Sequence, residues 1–289
     1  MVLHTFNWGS KTYIMGIINM SPESFSGDGF DDVNKAITHA KNLVNDGADI
    51  LDIGGKSTRP HTSTFIENQI QDSKSKNDLR KVDRDEELRR VIPLIAKLKS
   101  EVSVPISIDT YDAKVAQQAL IAGATVINDI WGLKADPKLA RVAAEFDAQL
   151  VIMHNQEDTL YTNLVSEIKA SLINSVEIAR KAGVAKENII LDPGFGFGKL
   201  PNQNLQVLRR LNELKALGFP ILIGTSNKST IGSVLDLRID KRTEGTSATV
   251  AISIANGADI VRAHDVKTMS LVSKMTDAVI RHEPSEGDG

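Results

Sequence analysis

The sequence predicts one α/β domain with the (β/α)8 TIM barrel fold, and three observations support that prediction. Short apolar runs rich in β-branched residues recur eight times among the 289 residues, as is typical of strands buried on both faces of a parallel sheet. A longer segment whose apolar residues have helical spacing follows each run, in strict alternation. No G-x-G-x-x-G turn follows the first run, so the closed barrel is favoured over an open doubly wound sheet.

The eight strands and eight helices are assigned in chain order. The predicted strands are residues 13–18, 50–53, 105–108, 125–127, 150–153, 189–191, 221–223 and 260–261. The predicted helices are residues 33–46, 86–100, 112–122, 137–146, 164–182, 204–217, 243–256 and 266–281. In the first helix, Val33, Ile37 and Ala40 share one face, and Gly47 follows as the residue type that ends helices most often.

The barrel domain is predicted to span residues 1–289, with a polar insertion at residues 62–82 between the second strand and its helix. Connections of that length are usually functional or disordered. In one hypothesis the insertion is a solvated tether, because loop entropy costs only about 0.6 kcal/mol per doubling of length. In the other, Phe65, Ile66 and Ile70 pack on the barrel rim. The many charged residues around these three favour the tether.

Composition excludes several classes of protein. The chain has 34 Lys and Arg against 37 Asp and Glu, a net charge of −3, whereas nucleic-acid-binding proteins usually carry a basic excess. The absence of cysteine excludes disulfides, thiolate metal sites and cysteine nucleophiles. No apolar run reaches the roughly 18 residues of a membrane span, and no signal-peptide pattern is visible at the start. We therefore expect a cytoplasmic protein without nucleic-acid or membrane partners.

Every predicted strand is followed by polar residues. In barrels of this fold the loops after the strands build the active site, so these side chains are expected to converge on one mouth. In chain order they are Asn19; Ser57, Thr58 and Arg59 after Gly54-Gly55; Asp109; Asn128 and Asp129; His154; Asp192; Ser226 and Lys228; and Arg262 and His264.

The residue types at the mouth indicate the chemistry of its ligand. Asp109, Asn128 and Asp192 can pair with the amide and amino groups of a planar nitrogen heterocycle. Lys228, Arg262 and His264, supplemented by Arg59 and Asn19, suit phosphate oxygens. The spacings of neither a Walker A loop nor a histidine-based zinc site occur, and Trp8 and Trp131 are predicted to be packing residues. The sequence thus predicts a heterocycle slot beside an anion site.

Seven segments, in order, resemble the motifs of the dihydropteroate synthases over nearly the whole chain, from about Tyr13 to Val266. The first two are MGIINMSPESFS at residues 15–26 and GADILDIGGKSTRP at residues 47–60. The others are PISIDT at 105–110, VINDI at 126–130, LDPGFGFGK at 191–199, GTSNKS at 224–229 and RAHDV at 262–266.

The resemblance implies the eight-stranded barrel and a step of folate synthesis. It implies condensation of 6-hydroxymethyl-7,8-dihydropterin diphosphate with 4-aminobenzoate, giving 7,8-dihydropteroate and pyrophosphate. The implied pterin-binding residues are Asp109, Asn128, Met153, Asp192, Lys228 and Arg262. The implied aminobenzoate residues are Phe25, Thr58, Arg59, Pro60, Phe197 and Ser229, with Lys228 bordering the same pocket. The implied diphosphate-binding residues are Asn19, Thr58, Arg262 and His264, and the implied catalytic residues are Asn19, Arg59, Lys228, Arg262 and His264.

The resemblance also implies a Mg²⁺ cofactor next to Asn19, a homodimer formed through outer helices, and sensitivity to sulfonamides. Five positions depart from the usual family pattern and leave that sensitivity open: Gly27, Lys56, His61, Asn227 and Thr230.

Two other functions remain as alternatives: a pterin-binding methyltransferase and a non-catalytic binding module. The segment Ser57-Thr58-Arg59-Pro60 and the Arg262-x-His264 pair disfavour the first, and the intact slot disfavours the second. The sequence leaves open whether the chain is one domain of a larger folate-pathway fusion.

Overall fold

The computed structural model describes residues 6–21, 29–56 and 82–281. Its strands are β1 (Tyr13–Asn19), β2 (Ile50–Gly54), β3 (Ile106–Asp109), β4 (Val126–Asp129), β5 (Gln149–Met153), β6 (Ile189–Asp192), β7 (Leu222–Ile223) and β8 (Ile260–Ala263). Within the described residues the α-helices are α1 (Val33–Asn45), α2 (Arg84–Leu98), α3 (Ala113–Ala122), α4 (Lys138–Glu145), α5 (Leu164–Lys181), α6 (Pro201–Arg209), α7 (Asn212–Lys215), α8 (Ser229–Leu235), α9 (Thr243–Ala255) and α10 (Val266–Ile280).

The eight strands are parallel and form a nearly closed barrel, which confirms the predicted fold. Hydrogen-bonded neighbours follow the order β6-β5-β4-β3-β2-β1-β8-β7. A single bridge between Leu191 and Ile221 joins the two ends of this order, and the amide of Leu191 donates to the carbonyl of Pro220 at 2.9 Å. The prediction that residues 1–289 are one domain stays a prediction, because the termini and residues 57–81 lie outside the described residues.

One helical prediction is wrong in detail, and one observed helix has no counterpart among the predicted ones. The single helix predicted at residues 204–217 is divided into α6 and α7, because the backbone leaves helical geometry at Arg210 (φ −113°, ψ 19°). The amide of Leu211 then bonds only weakly to the carbonyl of Leu208, at 3.5 Å. Helix α8 was not predicted, because seven residues give too few turns for a hydrophobic period to show.

The core has two parts, because successive side chains of a strand point to opposite faces. One set packs under the helices and includes Ile18, Leu51 and Ile53. The other set fills the lower half of the barrel interior, here called the floor: Tyr13, Met15, Ile50, Val126, Val151, Ile190, Leu222 and Ile260. Phe6 and Trp8 close the floor from below, with their ring centroids 4.9 Å apart, which confirms that Trp8 is a packing residue.

Two residues further along the strands, the same interior face becomes polar. The floor residues Ile50, Val126 and Ile260 are followed at this spacing by Asp52, Asn128 and Arg262. The change places a polar layer on top of an apolar base. Among the described residues, no helix has the length and hydropathy needed to cross a membrane.

Candidate active site

Polar side chains meet at the carboxyl end of the barrel, here called the mouth, as the sequence predicts. The strand register brings Gly54 beside Asp109, Asp109 beside Asn128, and Met153 beside Asp192. Asp109, Asn128 and Asp192 are 4%, 2% and 6% exposed, so three polar side chains are buried in one layer. Buried polar groups without full partners are costly, which favours a ligand at this position.

Arg262 lies across this layer and is held at two points. Its Nε donates to Asp52 Oδ2 at 2.6 Å, and its Nη2 donates to Asp109 Oδ2 at 2.8 Å. The second oxygen of Asp109 is buried without a hydrogen-bond partner among the described residues. The mouth therefore contains a cation held in place and an acceptor oxygen to which a ligand can donate a hydrogen bond.

Asp52 is a site residue that the sequence analysis missed. It is fully buried, and besides Arg262 it accepts a hydrogen bond from Asn128 Nδ2 at 3.0 Å. The predicted site residues follow the apolar runs, whereas Asp52 lies inside the run Ile50-Leu-Asp-Ile53. A carboxylate in the middle of a buried strand is rare unless it is paired, and that signal could have identified it.

The glycine-rich loop after β6 carries Phe197 to the rim of the slot, and Lys228, which lies between β7 and α8, packs against that loop. Lys228 Nζ donates to the carbonyl of Phe195 at 2.9 Å and lies 4.0 Å from the centre of the Phe197 ring. Gly196 has φ +85°, and a Cβ atom there would meet Lys228 Cδ at 2.8 Å. Glycine is therefore required for Lys228 to lie against this loop.

Lys199, also missed as a site-building residue, holds the same loop from beneath. Its buried Nζ lies 3.0 Å from each of three acceptors: the carbonyls of Gly194 and Phe197 and the Nδ1 of His154. Burial lowers the pKa of Lys199 to about 7, and burial beside Lys199 lowers the pKa of His154 to about 2. His154 thus stays neutral and contacts Lys199 beneath the loop. Its position at a strand end predicts that it lines the slot, and that prediction is wrong.

Asp129, like His154, is a strand-end residue that supports a loop instead of lining the slot. Its side chain caps the turn that follows β4. Its carboxylate accepts from the amides of Trp131 at 2.9 Å and Leu133 at 2.6 Å. That turn carries Ile130, which packs with Met153 and Phe197 and with the partly buried Tyr111 and Trp131. An apolar wall therefore stands beside the polar layer, and Trp131 is a packing residue, as predicted.

Burial brings the protonation equilibria of the slot close to neutral pH. It raises the pKa of Asp109 to about 7, against the attraction of Arg262, and that of Asp192 to about 6. Burial lowers the pKa of Lys228 to about 7. For Arg262 the penalty of burial is outweighed by Asp52 and Asp109, so its pKa is raised and it remains a cation. Such shifts are typical of functional sites.

The remaining predicted residues that the structure describes lie at or near the rim. His264 Nδ1 and Ser226 Oγ are 2.9 Å apart. A Cβ atom on Gly54 would lie 3.7 Å from both Asn19 Oδ1 and Asp109 Cβ, so Asn19 is close to the polar layer. Ser229 is exposed at the first position of α8, next to Lys228. The predicted residues Phe25, Thr58, Arg59 and Pro60 lie outside the described residues, as do Gly27, His61 and residues 62–81 of the insertion.

Three of the departures from the usual pattern lie among the described residues. Lys56 forms an ion pair with the buried Glu87 at 2.5 Å and lies 5.3 Å from the centre of the Tyr111 ring. Asn227 has the left-handed φ of +57°, which asparagine tolerates. Thr230 Oγ1 accepts from Asn204 Nδ2 at 3.0 Å, and Asn204 Oδ1 accepts from the amide of Gly196 at 2.7 Å. Thr230 therefore ties α8 to the glycine-rich loop.

Comparison with known proteins is consistent with this geometry. The profile of the pterin-binding enzyme family matches residues 15–264. Dihydropteroate synthase from Clostridium beijerinckii is 48% identical over 278 residues, which are 96% of this chain and 97% of the relative. The enzyme of the same name from Bacillus subtilis is 47% identical over 284 residues, 96% of this chain and 94% of the relative.

Solved structures agree with the sequence relatives. The structure of dihydropteroate synthase from Clostridium difficile in the presence of pteroic acid is 52% identical, with a TM-score of 0.86, and covers 96% of this chain and 100% of that chain. The Yersinia pestis dihydropteroate synthase with a sulfonamide drug complex is 34% identical, with a TM-score of 0.84, and covers 94% of this chain and 95% of that chain.

Proposed function

Since this chain belongs to the dihydropteroate synthases of the pterin-binding enzyme family, we infer that its barrel mouth is the active site of that reaction. The chain condenses 6-hydroxymethyl-7,8-dihydropterin diphosphate with 4-aminobenzoate, releasing pyrophosphate and 7,8-dihydropteroate for folate biosynthesis. The observation that carries the assignment of the site is the buried layer of Asp109, Asn128 and Asp192 with Arg262 lying across it.

In the proposed complex the pterin ring lies in this layer. The buried Oδ1 of Asp109 and the carboxylate of Asp192 accept hydrogen bonds from the amino group and ring N–H groups of the pterin. Asn128 adds an amide, Lys228 adds a donor, and Met153 supplies an apolar contact to the ring face. Two carboxylates suit a guanidine-like N–C–N edge, because each can accept parallel hydrogen bonds.

The chemical step is a substitution at the exocyclic methylene of the pterin. The bond from this carbon to the diphosphate oxygen breaks, and its electron pair leaves with pyrophosphate. The amine nitrogen of 4-aminobenzoate forms the new bond to the carbon and then loses a proton. Arg262 and His264 are proposed to stabilise the charge that develops on the leaving diphosphate. The electron-rich dihydropterin supports cationic character at the methylene, so a dissociative path is expected.

We further propose that Mg²⁺ accompanies the diphosphate and contacts Asn19. No group of three or more histidine and carboxylate side chains suited to a metal occurs among the described residues. The donor set therefore fits a cation that takes most of its ligands from phosphate oxygens and water, with the amide oxygen of Asn19 as a protein ligand. Bound there, the ion would neutralise charge on the leaving group.

The pocket for 4-aminobenzoate is proposed to lie at the rim, beside Phe197, Lys228 and Ser229. Phe25, Thr58, Arg59 and Pro60 complete it by prediction only, because they lie outside the described residues. Sulfonamides, which resemble the arylamine, are expected to compete for this pocket.

We also propose that the chain acts in the cytoplasm as a homodimer. Helix α10 exposes Leu271, Met275 and Val279, at 64%, 66% and 68%, at a spacing of four residues, and Ile252 of the neighbouring α9 is 48% exposed. A stripe of this kind is unusual on a monomer's surface, and a second copy is the proposed cover. Sedimentation equilibrium tests this, since Met275→Glu should shift a dimer to monomer.

Pyrophosphate release with each substrate omitted in turn tests the proposed function. Release is expected only when the pterin diphosphate and 4-aminobenzoate are both present, and it should match the formation of 7,8-dihydropteroate. Release without 4-aminobenzoate would indicate a hydrolase. Methyl transfer from methyltetrahydrofolate to a corrinoid would indicate the methyltransferase alternative.

A further inference from the structure

One buried carboxylate, that of Asp52, has no role in the function described so far. Asp52 lies in the middle of β2, inside the barrel, two residues after Ile50 of the apolar floor. Its neighbours Leu51 and Ile53 belong to the core under the helices, and Ile50 belongs to the floor. Asp52 is fully buried, and its Oδ1 has no hydrogen-bond partner among the described residues. Burying a carboxylate costs its hydration free energy, and hydrogen bonds and ion pairs with its partners must offset that cost.

The partners of Asp52 are two of the proposed active-site residues. Its Oδ2 accepts from Arg262 Nε at 2.6 Å and from Asn128 Nδ2 at 3.0 Å. A single oxygen thus links a cation from β8 to an amide from β4. These strands lie on different sides of the barrel, so the contact fixes two side chains relative to each other.

The two carboxylates that hold Arg262 differ in whether the pterin is expected to form hydrogen bonds with them. Asp109, which accepts from Nη2 at 2.8 Å, belongs to the layer that the pterin is proposed to occupy, so its hydrogen bonds are shared with the ligand. Asp52 is fully buried, and the oxygen that accepts from Nε also accepts from Asn128 Nδ2, so this oxygen already has two protein donors and its bond to Nε is not shared with the pterin. Arg262 can therefore release Nη2 from Asp109 toward the diphosphate while Nε remains in place.

Asp52 also determines which end of Asn128 a ligand meets. An ionised carboxylate only accepts hydrogen bonds, so the amide nitrogen of Asn128 must face Asp52. The amide oxygen is then the end available to an N–H group of the ligand. With a different neighbour the amide could turn over and present a donor instead.

We propose that Asp52 is a positioning residue of this enzyme: it anchors Arg262 by Nε for contact with the leaving diphosphate and sets the orientation of the Asn128 amide. The proposal rests on the proposed function of the site. It assigns Asp52 no contact with substrate. Its effects pass through Arg262, which governs the diphosphate, and through Asn128, which governs the pterin ring.

The test measures two dissociation constants by calorimetry, without 4-aminobenzoate: one for the pterin diphosphate and one for 6-hydroxymethyl-7,8-dihydropterin. Their ratio reports what the diphosphate adds to binding. The variants are Asp52→Ala, Asp52→Asn, which keeps the size and an acceptor oxygen, and Arg262→Ala alone and combined with Asp52→Ala. Asp259→Asn is the matched control, because Asp259 is also a fully buried carboxylate in an ion pair but precedes β8 at the opposite end of the barrel.

We expect Asp52→Ala to reduce the ratio by about tenfold or more, since a charge-assisted anchor is lost, and Asp52→Asn to reduce it less. Asp259→Asn should leave the ratio unchanged. In the Arg262→Ala background, Asp52→Ala should not reduce the ratio further, although it should still weaken binding of the pterin without diphosphate. A merely structural role would lower the amount of folded protein and leave the ratio unchanged.

An unchanged ratio in Asp52→Ala, or an equal reduction in the Arg262→Ala background, would overturn the proposal. These results are distinct from failure of the proposed function. If the wild-type protein binds neither pterin, both the proposed function and the role of Asp52 are overturned. If the wild type binds and turns over the pterin diphosphate but the Asp52 variants have the same ratio of dissociation constants as the wild type, only the role of Asp52 is overturned.

Discussion

The floor and the mouth of the barrel are formed by the same strands but differ in chemistry and in their effect on stability. The floor is a continuous apolar cluster closed by Phe6 and Trp8. The mouth, one layer higher, buries Asp52, Asp109 and Asp192 around the partly buried Arg262 and leaves two carboxylate oxygens of this set without partners among the described residues. Apolar burial stabilises the fold, whereas buried charge is tolerated only with partners. The difference indicates that the floor stabilises the fold and offsets the cost of burying the polar binding groups of the mouth.

The largest expected effect on stability belongs to the floor. Leu222→Ala removes a fully buried side chain and should lower the free energy of unfolding by about 2–5 kcal/mol. The residue above it on the interior face is Gly224, so pterin affinity should change little. Urea unfolding and calorimetry on the same variant check both expectations. The control is Leu160→Ala at a 79% exposed leucine, which should stay within about 0.5 kcal/mol of wild type. A loss of pterin affinity without a loss of stability in Leu222→Ala would break the comparison.

Turnover should depend most strongly on the cation at the mouth. Arg262→Ala removes a charge proposed to act on the leaving diphosphate, and kcat should fall by about 10²- to 10³-fold, as for other groups that stabilise developing negative charge. Binding of a pterin without diphosphate should fall much less, because that ligand lacks the leaving group. His264→Ala should change both quantities in the same direction. Steady-state kinetics and calorimetry separate the two quantities, and equal losses for both ligands would indicate a structural role only.

Pterin affinity should depend on the buried carboxylates by a smaller amount. Asp192→Ala should weaken pterin binding by on the order of 1–3 kcal/mol, because a ligand donor would be left without its acceptor. Asp109→Ala should act similarly. Asp259→Ala, a buried carboxylate at the floor end, is the control and should leave pterin affinity unchanged. Calorimetric binding that is unchanged in Asp192→Ala would contradict the assignment of the slot.

A last expected effect, of a different kind, is a pH dependence of stability at the mouth that the floor lacks. Burial raises the pKa of Asp109 to about 7 from the ordinary 3.8, so the folded state holds this proton up to about pH 7 while the unfolded chain loses it near pH 4. Between these values the folded state binds more protons, and its stability falls as the pH rises. Asp109→Asn lacks this titration, so its stability relative to wild type should increase from pH 4.5 to pH 7.5 in urea unfolding.

Leu222→Ala provides the control for that measurement, because it removes no titrating group. Its stability difference from wild type should be the same at each pH. A difference for Asp109→Asn that stays constant or decreases with pH would show that the Asp109 carboxyl is not held in its protonated form.

Much of the fold followed from the sequence, and the discrepancies share a physical cause. The predicted strands 13–18 and 189–191 each end one residue before the observed β1 and β6. The extra residues, Asn19 and Asp192, are polar yet continue the hydrogen-bonded ladder. Residues at the ends of buried strands become polar where a ligand is bound, so an apolar pattern ends before the strand does. The division of 204–217 into α6 and α7 depends on backbone geometry at Arg210, which no hydrophobic period records.

The sequence by itself determined the order of the elements and the apolar character of the strands that form the floor. It also determined which polar residues lie at strand ends: Asp109, Asn128, Asp192, Lys228 and Arg262. Both results depend on local properties, namely strand periodicity and polarity at the strand end. Only the tertiary structure decided which of these side chains are partners. Arg262 and Asp52 are separated by 210 residues along the chain, and they meet because closing the barrel sets β8 and β2 on either side of β1. Likewise, burial by residues from several strands, rather than any local sequence, moves the pKa values of Asp109 and Lys228 to about 7. Pairing and burial depend on contacts between distant segments, so they are fixed only when the whole barrel has formed.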